Sequence, residues 1–475
     1  MAASCDLITT KEGALFSCSR PDGDMSGLGV EGVWLNDARH LSRLILTLSG
    51  SRPKLEFSSD AAGTEATVRL RHSEHVGVTR HRSIGRSFVE RITISNDGPS
   101  REQTVQVELD CDLTDMFVVR GLVEGAIDPP EPKVSEGHIR YERAGRDGLR
   151  RTTDVTASPP PTRVAGKGSS RVLEWDLALK EGSRRVIVID VRCAPQDEPL
   201  VSPRFHVEPP RDPRLARALA AASRDLAVLQ TPVEGHSVPA AGIPYYVALF
   251  GRDSLLTALA LLEAAPAIAR ATLFALAEHQ ATADELERDA EPGKILHELR
   301  RGEIARSGEL PVWPYYGSVD ATPLFVLLAA EYTLFTGDTH PFDALEAQIV
   351  AALRWIDEFG DLDGDGFIEY RRRSARGLVN QGWKDSPDAI VDADGTGARG
   401  PIALCEVQGY LYAAKTKLAE LLETRGRSDE AVRLRSEAAD LRRSFRGAFW
   451  VEARGCYALA LDGDKKQVAS VTSNA

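Results

Sequence analysis

The sequence predicts a multidomain β + α protein, with an antiparallel β-sandwich over residues 1–200 and a helical domain over residues 214–475. The chain has 475 residues, which is more than a single hydrophobic core usually serves. Apolar and polar residues alternate in the first part, whereas in the second part apolar residues recur at spacings of three and four. Residues 201–213, rich in proline and charge, are predicted to be the linker.

The β-sandwich is predicted from short alternating runs bounded by turns. Residues 88–95 alternate and end at the turn signal of residues 96–99, Asn-Asp-Gly-Pro. Residues 104–110 continue with a period of two, and residues 186–191 read as a further strand. Several short strands of this kind are typical of a sandwich.

The helical domain is predicted from apolar stripes. Leu215, Ala218, Leu219, Ala222, Leu226 and Leu229 follow the spacing of one helix face. Asp253 and Ser254 are expected to cap a helix through Leu262, after which Pro266 begins another. Further helices are predicted at residues 322–336, 341–359, 403–425 and 428–449. The long loops between them carry the Trp, Tyr, Asp and Gly residues and are expected to hold the functional groups.

Composition excludes several classes of function. The formal net charge is −12 and the basic residues are scattered, which argues against a nucleic-acid partner. The six cysteines lie far apart without a Cys-x-x-Cys pair, so we expect free, reduced thiols rather than zinc or disulfides. We find no secretory signal, and the most apolar stretch, residues 255–269, is too short to span a bilayer. The sequence predicts a cytoplasmic protein without a membrane partner.

Asp385 is the candidate catalytic acid, in the segment Gln381–Ser386. An acid that protonates a glycosidic oxygen must be partly desolvated to keep its proton near neutral pH. The indole of Trp383 could provide that shelter and a flat apolar face for a sugar ring. The alternative is that Asp385 belongs to a polar turn or caps a helix before Pro387.

Five motifs carry a resemblance to a known family. They are residues 35–42 (LNDARHLS), 249–255 (LFGRDSL), 293–298 (GKILHE), 320–325 (DATPLF) and 382–386 (GWKDS). In this order they resemble the prokaryotic glycogen-debranching, or amylo-α-1,6-glucosidase-like, family. The resemblance implies an N-terminal β-sandwich followed by an (α/α)6 barrel. It also implies inverting hydrolysis of α-glucosidic bonds without a redox or organic cofactor, and it supports Asp385 as the acid.

The helix count departs from that family pattern. An (α/α)6 barrel needs twelve helices, and the sequence predicts about seven after Arg214. The resemblance implies that the catalytic base is a Glu near the end of the barrel, which we expect beyond Ala475. We therefore expect the barrel to be incomplete in this chain.

Arg252 and Asp253 are candidate sugar ligands, because a guanidinium and a carboxylate can form directional bonds to two hydroxyls of one sugar. The alternative is that Asp253 caps its helix while Arg252 pairs with an acid. Trp313 and Tyr315 could floor a sugar subsite, although core packing explains each equally well. Asp320 opens a predicted helix, as a cap, a sugar ligand, or both.

Glu406 and Gln408 lie at the start of an otherwise apolar helix, where a polar side chain costs stability unless it is bonded. We expect both to point into the barrel mouth. The full set of predicted substrate-binding residues is Arg252, Asp253, Trp313, Tyr315, Asp320, Trp383, Glu406 and Gln408.

A calcium loop is partly present. Asp361, Asp363 and Asp365 occupy positions one, three and five of an EF-hand pattern, and Gly366 occupies position six. Position twelve is Arg372, where an EF-hand needs a bidentate Glu, so the hand is incomplete. A structural calcium and a tight Asp- and Gly-rich turn both remain open. No catalytic metal is predicted.

These inferences lead to one functional hypothesis. We predict an inverting α-glycosidase, an amylo-α-1,6-glucosidase that acts on branched α-glucan or oligosaccharide. One alternative is a hydrolase of a small α-glycoside such as glucosyl- or mannosylglycerate. Another is a non-catalytic carbohydrate-binding protein that lacks the base.

Overall fold

Eighteen strands form three antiparallel sheets in the N-terminal half of the computed structural model, which describes residues 7–60, 63–125, 129–196, 205, 210–392 and 394–472. One sheet has eight strands and the other two have five each. The strands are Ile8–Glu12, Leu15–Ser19, Met25–Ser26, Gly32–Leu35, Ala38–Leu41, Arg43–Leu48, Lys54–Ser59, Glu65–Arg71, Val76–Ile84, Phe88–Asn96, Arg101–Asp110, Thr114–Asp115, Lys133–Ser135, His138–Ala144, Arg150–Ser158, Arg163–Ala165, Arg171–Leu179 and Arg184–Ala194.

The predicted sandwich is confirmed, because its alternating strands bury one face each. In Phe88–Asn96, every second residue is buried, and the strand lies between Val76–Ile84 and Arg184–Ala194 in the eight-stranded sheet. Arg101–Asp110 alternates in the same way within a five-stranded sheet. Ile92 of the first sheet and Val107 of the second belong to one buried cluster, so the two sheets pack face to face.

The C-terminal half is helical, as predicted. Its described part contains seven helices of ten or more residues, which we number α1 to α7: Pro213–Leu229, Gly251–Ala260, Pro266–Glu278, Ala321–Thr336, Glu346–Trp355, Cys405–Thr424 and Ser428–Phe449. Shorter helices are Met116–Val119 in the first half and Glu303–Arg306 and His340–Ala344 in the second. A 3-10 turn lies at Leu286–Arg288 and a π turn at Ile356–Gly360. Short strands are Gln230–Val233, His236–Pro239, Leu249–Phe250, Glu298–Leu299, Ala403–Leu404, Trp450–Val451, Cys456–Tyr457, Ala460–Leu461 and Gln467–Val468.

Helices α2, α3, α4 and α6 supply the main core of this half, with Leu255, Leu273, Phe325 and Leu418 all buried. Helix α1 has the predicted apolar stripe, yet none of its residues is buried, and Leu215 is 59% exposed. The predicted linker lies mostly outside the described residues. Among those residues, we find no helix that combines the length and apolar character needed to cross a membrane.

The start of α2 corrects one prediction. The helix begins at Gly251, directly after the strand Leu249–Phe250, and no side chain makes a cap hydrogen bond. Ser254 donates its hydroxyl to the carbonyl of Pro239 at 2.9 Å instead of capping. A Cβ at Gly251 would lie 2.1 Å from the carbonyl oxygen of Leu296, so only glycine permits this approach. The approach places the next residue, Arg252, against the segment that carries His297.

Charged contacts join the two halves beside that segment. Asp37 of the sandwich accepts from Nη1 of Arg300 at 3.0 Å and from the backbone N–H of Arg301 at 3.2 Å. Asp115 accepts from the backbone N–H of Ile304 at 3.1 Å. Glu303 is bound at 2.6 Å by Arg143 of the sandwich. The sandwich therefore holds residues 300–304, which follow the strand Glu298–Leu299.

Candidate active site

The centre of the candidate site is the buried guanidinium of Arg252, the second residue of α2. Its Nη1 lies 3.1 Å from Oδ2 of Asp320, and its Nη2 lies 3.5 Å from Oδ2 of Asp385. Its Nε lies 3.9 Å from Oδ2 of Asp253. Burial lowers the pKa of Arg252, but the charges of Asp320 and Asp253 outweigh burial and raise it above its usual value. One cation therefore gathers three predicted site carboxylates from three segments of the chain.

Asp320 directly precedes α4 and is completely buried. Its side chain makes no cap bond to the helix. Its Oδ1 accepts from the hydroxyl of Ser318 at 2.6 Å, while its Oδ2 accepts from Arg252. Asp320 therefore does not cap α4 through its side chain. Its carboxylate instead binds and orients the guanidinium of Arg252.

Trp383 and Asp385 come from the loop before α6. The indole of Trp383 is exposed by 51%, and the guanidinium carbon of Arg252 lies 5.7 Å from the ring centroid. The side chain of Asp385 is 39% exposed. The indole therefore contacts Arg252, which also binds Asp385. An open aromatic face beside a held carboxylate and guanidinium is a combination that suits a neutral sugar.

The carboxylate of Asp253 has a raised pKa. Burial raises its pKa, while the positive charge of Arg252 and the nearby His297 oppose that rise. A third of its side chain is exposed. A partly exposed carboxylate with a raised pKa is a candidate for proton transfer, and Asp253 meets that description.

His297 is a site neighbour that the sequence analysis did not select. The ring is buried between Phe250 and Tyr315, with ring centroids 5.5 Å and 5.9 Å away in edge-on geometry. Burial lowers its pKa, and its titration also responds to Arg252 and Asp385. The signal for it was its place in the motif of residues 293–298.

Glu406 lies beside the Trp383 loop at the start of α6. A Cβ at Gly382 would lie 3.9 Å from Oε1 of Glu406 and only 2.1 Å from Cδ1 of Leu404. The loop therefore packs closely against the start of α6, and a side chain at position 382 would displace the side chain of Leu404. One turn further, burial and the charges of Asp320 and Glu406 raise the pKa of Tyr410 to about 12. Glu406 thus borders the same carboxylate cluster.

Three predicted ligands do not face this cluster. The amide of Gln408 accepts from the backbone N–H of Ile368 at 2.9 Å and donates to its carbonyl at 2.8 Å, so it is used by the backbone. The hydroxyl of Tyr315 donates to Asp289 at 2.8 Å and accepts from the N–H of Leu378 at 2.7 Å, with the ring 2% exposed.

Trp313, the third of these residues, packs under the guanidinium of Arg306, whose carbon lies 4.1 Å from the ring centroid. It also contacts two buried clusters. For Trp313 and Tyr315 the packing alternative describes the observed contacts. The predicted calcium loop, Asp361 to Glu369, forms a separate cluster with Lys465.

Comparison with known proteins finds a family match in the N-terminal half of the chain. Residues 10–190 match a family model described as the N-terminal domain of (some) glycogen debranching enzymes. The sandwich is therefore similar to the N-terminal domain of (some) glycogen debranching enzymes. No match is found among curated proteins.

Two solved structures share the fold over nearly the whole chain. A protein assigned as kojibiose phosphorylase, from the human microbiome, has a TM-score of 0.59 and 10% identity, covering 95% of this chain and 69% of its own. A bacterial glucoamylase complexed with acarbose has a TM-score of 0.55 and 10% identity, covering 95% of this chain and 68% of its own. Both belong to the (α/α)6-barrel architecture, so the predicted fold class, an antiparallel sheet domain followed by helices of this type, is confirmed.

Proposed function

We propose that the protein is an inverting α-glycosidase of the amylo-α-1,6-glucosidase type, which hydrolyses α-1,6-glucosidic bonds of branched glucans or oligosaccharides. The observation that carries this proposal is the contact of Arg252 with Asp320, Asp385 and the exposed face of Trp383. The debranching-enzyme character of the first domain supports the α-glucan as substrate. The acarbose bound to the structurally similar bacterial glucoamylase supports an oligosaccharide ligand.

The cluster can bind one glucosyl ring. Its indole offers an apolar face, and the guanidinium and carboxylates offer donors and acceptors for hydroxyls. Nε of Arg252 is buried without a hydrogen-bond acceptor among the described residues, and its nearest carboxylate, Asp253, is 3.9 Å away. A sugar hydroxyl between these two side chains could supply that acceptor and donate to Asp253. Binding of the ring would also cover the exposed part of Asp385.

Asp385 then acts as the general acid. Its proton passes to the glycosidic oxygen as the bond between that oxygen and the anomeric carbon breaks. Water attacks the anomeric carbon from the opposite face and gives its proton to a general base, so the configuration inverts. In the family that the sequence resembles this base is a Glu, and we assign none of the described glutamates to the role.

The test is hydrolysis by the protein, with the anomer of the first product followed by proton NMR. We expect panose to be cleaved with β-glucose appearing first. Cleavage of glucosylglycerate but not panose would instead identify a hydrolase of small α-glycosides. Acarbose binding without cleavage of either substrate would identify a non-catalytic carbohydrate-binding protein. Initial release of α-glucose would exclude inversion.

A further inference from the structure

The segment Asp361 to Glu369 forms a tight acidic loop after the π turn. One carboxylate closes it: Asp361 accepts from the backbone N–H groups of Gly364 at 2.8 Å, Asp365 at 3.1 Å and Gly366 at 2.9 Å. Oxygens of Asp361, Asp363 and Asp365 lie within 4.8 Å of one another. This spacing would allow the three carboxylates to share one cation.

A cation from elsewhere in the chain already lies there. Lys465 belongs to the turn between the strands Ala460–Leu461 and Gln467–Val468, and its backbone is left-handed, with φ of 59°. Its Nζ lies 2.9 Å from Oδ2 of Asp363 and 2.7 Å from Oδ2 of Asp365, and it donates to Oε1 of Glu369. Burial lowers the pKa of Lys465, but the bonds to these carboxylates outweigh it and raise the pKa. The three N–H groups of the ammonium match three carboxylates.

One oxygen of this cluster remains without a bond. The side chain of Glu369 is fully buried, yet its Oε2 has no hydrogen-bond partner among the described residues. An ammonium has only three donors, and those of Lys465 are used by one oxygen each of Asp363, Asp365 and Glu369. A calcium ion, which accepts six to eight oxygens, would use the remaining oxygen as well. A cavity of about 340 Å³, lined in part by Asp361 and Asp365, opens beside the loop.

We propose that the ammonium of Lys465 is the resident cation of a loop whose oxygens otherwise form a calcium site. The chain itself then supplies the cation that stabilises this loop. Removing the ammonium leaves Asp361, Asp363 and Asp365, whose oxygens lie within 4.8 Å of one another, and the neighbouring Glu369 without a cation, and a divalent ion could then share their oxygens.

The loop is also joined to the helix that carries Glu406. Gln408 binds both backbone groups of Ile368 within the loop, and its amide also donates to the carbonyl of Leu404 at 3.1 Å. The strand Ala403–Leu404 pairs with Ala460–Leu461, the first strand of the hairpin that carries Lys465. Lys465 is therefore a positioning residue for the start of α6, and this consequence for the candidate site rests on the proposed function.

The experiment compares calcium binding by the wild type, Lys465→Met and Lys465→Met/Asp363→Asn, using calorimetry and thermal unfolding in EDTA or calcium. We expect no binding by the wild type at about 1 mM calcium, the range of weak protein sites. Lys465→Met should bind calcium, and its thermal midpoint should fall in EDTA and recover with calcium. The double variant should lose that recovery. Lys466→Met removes the neighbouring ammonium, which pairs with Asp392 at 3.2 Å instead, and should behave as wild type.

Two results would overturn the proposal. Calcium binding by the wild type would show that Lys465 is not the resident cation. Failure of Lys465→Met to bind calcium, or to fold with or without it, would show that the loop is only a turn. Lys465→Arg, which keeps a cation, should stay unresponsive to calcium. If Lys465→Met binds calcium but its acarbose affinity matches the wild type in EDTA, the cation role stands and the link to the sugar site fails. If the wild type binds no acarbose, the proposed function fails while the calcium result still decides the loop.

Discussion

Nη1 of Arg252 donates a hydrogen bond of 3.1 Å to Oδ2 of Asp320, and both side chains are buried. The pair joins the starts of α2 and α4, so the candidate cleft is built on two helices of the main core rather than on loops alone. Helices position side chains more rigidly than loops do. The other two partners of Arg252, Trp383 and Asp385, come from the loop before α6.

Asp320→Asn should destabilise the protein strongly. The substitution leaves the buried Arg252 with weaker partners, and breaking a buried ion pair by removing one partner costs about 3–5 kcal/mol. Urea unfolding would measure this loss. Asp343→Asn is the control, because its pair with Arg425 is exposed and should contribute less than about 1 kcal/mol. A loss as small as in the control would mean that the Arg252–Asp320 pair does not hold the site together.

Asp253→Ser should reduce sugar binding without reducing stability. The structure shows no cap bond from Asp253, so the thermal midpoint should stay close to that of the wild type. We expect acarbose affinity, measured by calorimetry, to fall by at least about tenfold, because hydrogen bonds to a charged group are worth about 1.5–3 kcal/mol. Unchanged affinity in the folded variant would remove Asp253 from the sugar site.

Trp383→Ala should remove the apolar face of the site. The exposed indole contributes little to the core, so we expect unfolding to change little while acarbose affinity falls by about tenfold. Trp450→Ala is the matched control, since that indole is also exposed, by 40%, and lies after α7. Equal effects of the two substitutions on affinity would show that Trp383 has no specific role in binding.

Asp115 lies where the two halves of the protein are in contact. Asp115→Asn should change how the stability of the protein depends on pH. Burial and the nearby Asp37 raise the pKa of Asp115 from 3.8 to about 6. The folded state therefore binds the proton of Asp115 more tightly than the unfolded state does. The contribution of Asp115 to the free energy of unfolding is fully present below about pH 4 and is lost as pH rises through 6. The loss is on the order of 3 kcal/mol. Urea unfolding at several pH values should show this loss in the wild type and in Asp176→Asn, an exposed control, but not in Asp115→Asn. An identical pH profile in Asp115→Asn would assign the dependence to other groups.

The local patterns predicted the fold well because they follow from burial. The run of residues 88–95 could bury only one face as a strand, and helix α7 occupies residues 428–449, the range that its apolar spacing predicted. Arg252, Asp320 and Asp385 could be selected because a guanidinium and carboxylates near loop–helix junctions, together with Trp383, are the groups that bind sugars. Their grouping around one guanidinium could not be read from spacing, because it depends on packing of segments 68 and 133 residues apart.

Two predicted ligands, Gln408 and Tyr315, form hydrogen bonds within the protein instead of facing the candidate site, and for both the physical cause is the same. Gln408 and Tyr315 are polar groups in apolar surroundings, and the sequence cannot show whether such a group binds a ligand or a distant backbone. Gln408 binds Ile368, 40 residues away, and Tyr315 binds Leu378, 63 residues away. The role of Lys465 was hidden for the same reason, because Glu369 lies 96 residues before it.

Asp385→Asn tests the central claim most directly, through kcat/KM on panose and on α-glucosyl fluoride. Panose needs protonation of its leaving oxygen, so its rate should fall by about two to four orders of magnitude, the usual contribution of general acid catalysis. Fluoride leaves with little protonation, so the same variant should lose much less on the fluoride, and acarbose should still bind. Equal losses on both substrates, or no loss on either, would contradict the assignment of Asp385 as the acid.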